Sequence, residues 1–153
     1  QRSAYIIERF LAYALSIVGV VVMIYIGMSL GVAVGNVDID MGALSSLIWN
    51  LIPILIFVLA LTILVGSFIR RRKRALEIMT AYVIISFVIQ TVASMGTDTA
   101  LESIGVISFF TYYNAPDILS NGIAPLHVFG LSALSIIFLF GSMYFFERRD
   151  IGL

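Results

Sequence analysis

Ser86, Gln90 and Ser94 recur at intervals of four inside the apolar stretch "VIISFVIQTVAS". On a helix that spacing puts three hydrogen-bonding groups on one face. In hydrocarbon such a stripe must face protein or water. It can join helices, or it can line a path for a polar substrate. The other candidate groups are sparse. His127 is the single histidine, and it follows Pro125 at the edge of an apolar run. With no second histidine and no carboxylate nearby in sequence, an interfacial histidine is the simpler reading than a metal ligand or proton sensor. Cysteine is absent, which removes disulfides, thiolate metal sites and redox switches. No glycine-rich phosphate loop ending in Gly-Lys-Ser/Thr occurs, so the chain does not bind ATP by that device. No Ser/His/Asp set or metal-ligand cluster stands out. The expectation is a chain that is not an enzyme and holds no cofactor or metal of its own.

The elements around these residues are those of a membrane. Of 153 residues, 61% are hydrophobic and 12% are charged, against roughly 25% charged in an ordinary soluble domain. The mean hydropathy of +1.08 agrees. Four apolar runs reach the ~20 residues that cross a bilayer: about 10–34, 43–69, 78–95 and 123–146. The predicted fold is one all-α domain, 1–153, a polytopic transmembrane bundle. A half-apolar stretch, Gly96 to Gly122, precedes the last span. Its core, Ile104 to Tyr113, is too short to cross and suits an interfacial or re-entrant segment.

Charge placement predicts orientation. The nine basic residues are Arg2, Arg9, Arg70, Arg71, Arg72, Lys73, Arg74, Arg148 and Arg149. With four spans, all fall on one side. Asp38, Asp40, Asp98, Glu102 and Asp117 fall on the other. By the positive-inside rule both termini and the basic loop are cytoplasmic, with the chain multi-pass in the cell membrane. The run "RRRKR" is thus a topology anchor, with contact to anionic lipid a compatible second effect. It lacks the aromatic platform of a nucleic-acid surface, so no nucleic-acid partner is expected. No charged residue lies deep in a span, which argues against ion-coupled transporters, proton relays and voltage sensors.

Two further features concern packing. Gly27, Gly31 and Gly35 line one face of the first span, where another backbone can approach closely. Packing within the bundle is the simpler use, and a contact between copies the sharper one. Pro53 removes a helical hydrogen bond in the second span and predicts a kink.

The C-terminal "MYFFERRDIGL" (Met143 to Leu153) resembles the end of type-2 ABC exporter permeases, where the last span runs into Arg-Arg-Asp. "LVGSFIRRRKRALEIMTAYVIISFVIQTVAS" (Leu64 to Ser94) looks like that family's fourth span, basic inner loop and fifth span. "ISFFTYYNAPDIL" (Ile107 to Leu119) looks like its outer segment before the last span. "QRSAYIIERFLAY" (Gln1 to Tyr13) looks like the cytoplasmic entry to its third span. The resemblance covers nearly the whole chain. It departs where Ser108-Phe109-Phe110 replaces the family's frequent Ser-Pro-Phe, and where four spans stand against the family's six. With a start at Gln1, the expectation is the C-terminal part of such a permease, or a chain needing a separate partner.

The resemblance implies an export machine. Partners would be a separate ABC ATPase subunit carrying the ATP, a second permease copy or N-terminal permease part, and the bilayer. Arg2, Tyr5, Glu8 and Arg9 would form the ATPase contact. The rival is a four-span scaffold or binding protein that transports nothing. Orientation can be tested in this cysteine-free chain with D38C, K73C and D98C and an impermeant thiol reagent. On intact cells positions 38 and 98 should label and position 73 should not. Labelling of 73 alone would reverse the topology.

Overall fold

The computed structural model describes residues 2–36, 38–69, 71–95, 108–113, 118, 122 and 125–147. These comprise α1 (Arg2–Gly35), α2 (Met41–Trp49), α3 (Leu51–Phe68), α4 (Arg72–Met95), a 3₁₀ turn η1 (Phe109–Tyr112) and α5 (Pro125–Glu147). Four stretches are long and apolar enough to cross a bilayer: Ala4–Gly35, Met41–Phe68, Arg72–Ser94 and Pro125–Phe146. The chain is an all-α, multi-pass membrane protein. Arg70, Arg148, Arg149, Asp98, Glu102, Asp117 and positions 104–107 lie outside the described residues.

α1 has 34 residues, about 51 Å at 1.5 Å each, against a hydrocarbon core of about 30 Å. It has no separate entry segment: Arg2 to Arg9 are the first turns of the same rod. The helix ends at Asn36, whose φ of 48° is left-handed. Asn tolerates that region, and the position is a common helix stop. Asp40 then caps α2, its Oδ1 accepting from the Gly42 N–H at 2.8 Å. A side chain at Gly42 would crowd this cap, since its Cβ would sit 3.1 Å from that oxygen.

The second span is two helices. The kink expected from Pro53 is a break between Trp49 and Leu51, with Asn50 between them. Proline clashes with the carbonyl four residues back, which here is that of Trp49. The break therefore falls one turn before its cause.

The basic run also differs from a plain loop. Only 69–71 separate α3 from α4, so Arg72, Lys73 and Arg74 form the first turn of α4. Cations there oppose the helix dipole. Lys73 and Glu77, four apart, meet at 4.0 Å, an exposed pair contributing little.

α3 is the centre of the bundle. It contacts α1, α2, α4 and, most extensively, α5. Its sequence is apolar all round, as suits a helix with neighbours on several sides. Phe57–Phe138 and Phe68–Phe145 stack along the α3–α5 seam at 5.6 and 4.1 Å. The backbones come close at Gly141, where a Cβ would lie 3.3 Å from Leu64 Cδ1.

P53A should restore the missing N–H and straighten the span. Spin labels at Met41 and Leu55 should then move toward the about 21 Å of an unbroken helix. An unchanged distance would assign the break to the packing of Asn50.

Candidate functional site: a closed end and an open cleft

η1 does not lie flat on the bundle; it is wedged into it. Phe109 is buried with Ile54 and Phe57 of α3 and Leu131 of α5, and its ring lies 5.8 Å from Tyr82 of α4. Polar groups fix the wedge. Ser108 Oγ accepts from the Phe110 N–H at 3.2 Å, and its hydroxyl donates to the Ser86 carbonyl at 2.7 Å. Thr111 Oγ1 donates to Gln90 Oε1 at 2.8 Å. Ser86 lies nine residues before the end of α4, or about 13 Å along its axis.

Of the polar stripe, Gln90 thus holds the wedge by its side chain, and Ser86 holds it by its main-chain carbonyl. Ser94 does not join them; its hydroxyl donates to the Thr91 carbonyl at 2.8 Å. Ser86 and Ser108 are 1% and 0% exposed, so no open path passes between them. His127 meets the wedge from α5, its ring edge-on to Tyr112 at 5.5 Å.

The glycine face points away from this chain's other helices. A Cβ at Gly27 or Gly31 would have nothing within 4 Å; Gly35 is exposed. In the first turns of α1, Tyr5, Glu8 and Arg9 are exposed as well, while Ile6 is buried. Arg9 lies over the Tyr5 ring at 5.0 Å, and Glu8 is exposed beside it. The side chain of Arg2 lies outside the described residues.

The basic half holds a cleft between α1 and α4, floored by α3. One cavity in it, about 500 Å³, is walled by Tyr13, Leu59, Thr62, Gly66, Arg72 and Leu76 among others. A second, about 320 Å³, is walled by Tyr5, Arg9, Tyr13, Ile63, Arg72 and Phe146 among others. A third, about 290 Å³, runs up the α1–α3 seam to Val20 and Leu55. Tyr13 borders all three. In the sequence Tyr13 only closes the stretch that resembles a cytoplasmic entry, and Arg72 belongs to the topology signal. A cleft is a gap between helices far apart in sequence, and nothing in either residue's own neighbourhood announces it.

Compared with known proteins, the chain matches no family model, no curated protein and no solved structure.

Among the described residues no group of three or more His, Cys, Asp or Glu could hold a metal ion. The arrangement clasps η1 into one half of the bundle by hydrogen bonds and leaves a cleft in the other half.

The clasp can be measured. In a T111V/Q90L double-mutant cycle, unfolding in mixed micelles should give a coupling of about 0.6 kcal/mol, with a ceiling of about 1.7, as for hydrogen bonds inside membrane proteins. A coupling of zero would mean that the Thr111–Gln90 bond does not hold the wedge.

Proposed function

We propose that this chain is a permease subunit of an ATP-driven exporter, forming the substrate path and coupled to a separate ATPase. The observation that carries this reading is the asymmetry of the bundle. The wedge closes the end near the acidic turn, and a cleft opens at the basic end. A carrier waiting for cargo on one side has that form, since alternating access needs one gate shut while the other is open. The ordered resemblance to type-2 exporter permeases adds to it, above all the segment that folds back before the last span.

On this reading the open end faces the cytoplasm of the cell membrane, and both termini lie there. ATP is bound and hydrolysed on the partner. A second permease copy or an N-terminal permease part completes the path. α1 exceeds the hydrocarbon core by about 20 Å, so Arg2, Tyr5, Glu8 and Arg9 stand where a cytoplasmic ATPase can push. Ser86 and Gln90 act as the seat of the outer gate.

The rival reading, a scaffold that moves nothing, draws on the wide face of α1 that no described helix covers, including Gly27 and Gly31.

The experiment is to purify the tagged chain from native membranes with any ATPase that carries a glycine-rich phosphate loop. The chain alone should hydrolyse no ATP, and the complex should. Oxidising a Q90C/T111C pair should lower the complex's ATPase rate about tenfold, within the range of conformational coupling, with recovery on reduction. R2E/R9E should loosen the complex while insertion stays normal. If no such ATPase co-purifies, or the oxidised clasp leaves its rate unchanged, the exporter reading fails and the scaffold stands.

A further inference from the structure

The cleft between α1 and α4, whose opening the exporter reading rests on, also has a definite length and polarity. Its cavities border α1 from Tyr5 to Val20, fifteen residues or about 22 Å. Half of a bilayer with its headgroups is also about 20–22 Å. The groove is therefore as long as one phospholipid.

Its two ends differ chemically. At the outer mouth Arg9 and Arg72 wall the same cavity, beside Tyr5 and Tyr13. Neither arginine has a carboxylate partner among the described residues, where the one ion pair is Lys73–Glu77. Glu8, next to Arg9, is exposed and pairs with neither. Arg9 lies over the Tyr5 ring at 5.0 Å and beside the Tyr13 hydroxyl, and a guanidinium has five N–H donors, more than two phenols occupy. Deeper in, the walls are apolar. The hydroxyls there are already used within their own helices. Thr62 donates to the Val58 carbonyl at 2.7 Å, and Ser16 to the Ala12 carbonyl at 2.9 Å. They ask nothing of a ligand. At Gly66 the wall is cut back, and a Cβ would meet nothing within 4 Å.

We propose that this groove holds one anionic phospholipid from the leaflet on the basic side. Its phosphate sits between Arg9 and Arg72, and an acyl chain runs past Gly66 and Leu59 toward Val20. Two donors with fixed geometry match a phosphate, and the anion relieves the cost of cations at the start of α4. A neutral lipid fits the apolar part but leaves the mouth unmatched. This site stands whether or not the chain is an exporter.

The test uses the full chain in nanodiscs of phosphatidylcholine with a minor share of phosphatidylglycerol, read by native mass spectrometry after release. One phosphatidylglycerol per chain should be retained in preference to phosphatidylcholine. R9Q/R72Q should lower that retention about thirtyfold, the effect of two basic residues on an anionic lipid. R71Q/R74Q removes the same charge outside the cavity walls and should change it only a few fold. G66L favours the helix but fills the groove, and should also abolish retention. Inorganic phosphate should not displace the lipid. Equal losses in the two arginine pairs would reduce the effect to diffuse charge and overturn the site. Displacement by phosphate with G66L silent would make it a headgroup site only, which also overturns the proposal. If G66L inserts poorly, a tryptophan at Leu59 (L59W in a W49F background) replaces it. Phosphatidylglycerol with brominated chains should quench that tryptophan, and a lack of quenching would put the chain elsewhere.

Discussion

Hydrocarbon cannot hydrogen-bond a peptide group, so backbone that leaves the helical pattern inside a membrane must find its partners within the protein. This chain does so in the segment before its last span. Ser108 replaces a missing helical partner twice, accepting from Phe110 and donating to Ser86. Thr111 and Gln90 satisfy each other one turn further on. Without those bonds η1 could not sit among α3, α4 and α5, and Phe109 would have no route to the core it completes. Among the described residues no buried side-chain nitrogen or oxygen is left without a partner.

The same constraint explains the contrast between the two halves. Near the wedge, aromatic rings from η1, α3, α4 and α5 fill the space between helices. Near the basic end only the α3–α5 seam stays tight, closed by Phe68 and Phe145. α1 and α4 are both tied to α3, but on sides that leave a gap between them. In water such a gap would fill with solvent at the expense of apolar wall. In a bilayer it faces lipid tails, so an open groove carries no hydrophobic cost.

Much of the fold was legible in the residues. Runs of uncharged apolar positions marked four spans, and the short apolar core before the last span marked a segment unlike them, of which 108–113 is the described part. The rest depended on geometry that local patterns do not carry. Arg72 to Arg74 read as loop because charge outweighs helix propensity in a hydropathy pattern, yet arginine and lysine are good helix formers and the helix starts with them. Pro53 showed that something would bend, but the break lies at the residue its ring displaces, a turn earlier. The stripe at 86, 90 and 94 required polar neighbours; that the Gln90 side chain and the Ser86 carbonyl find theirs in a turn 21 to 22 residues away, while Ser94 bonds its own helix, is a tertiary fact. Glycine spacing on α1 named a smooth face without naming which way it points.

The clasp on α4 also makes that helix a lever. The Ser86 carbonyl, which in a regular helix already accepts the Gln90 N–H, takes the Ser108 hydroxyl as well, and the side chain of Gln90 is tied to Thr111. Both attachments fall on a single turn near the middle of the helix, so this turn is its fulcrum. Arg72 stands at the far end, fourteen residues or about 21 Å away. A tilt of about 10° around Ser86 would swing Arg72 through about 4 Å. That is the breadth of a side chain, enough to widen or shut the mouth of the cleft. α4 thus links the clasped turn to the mouth of the cleft as a rigid arm.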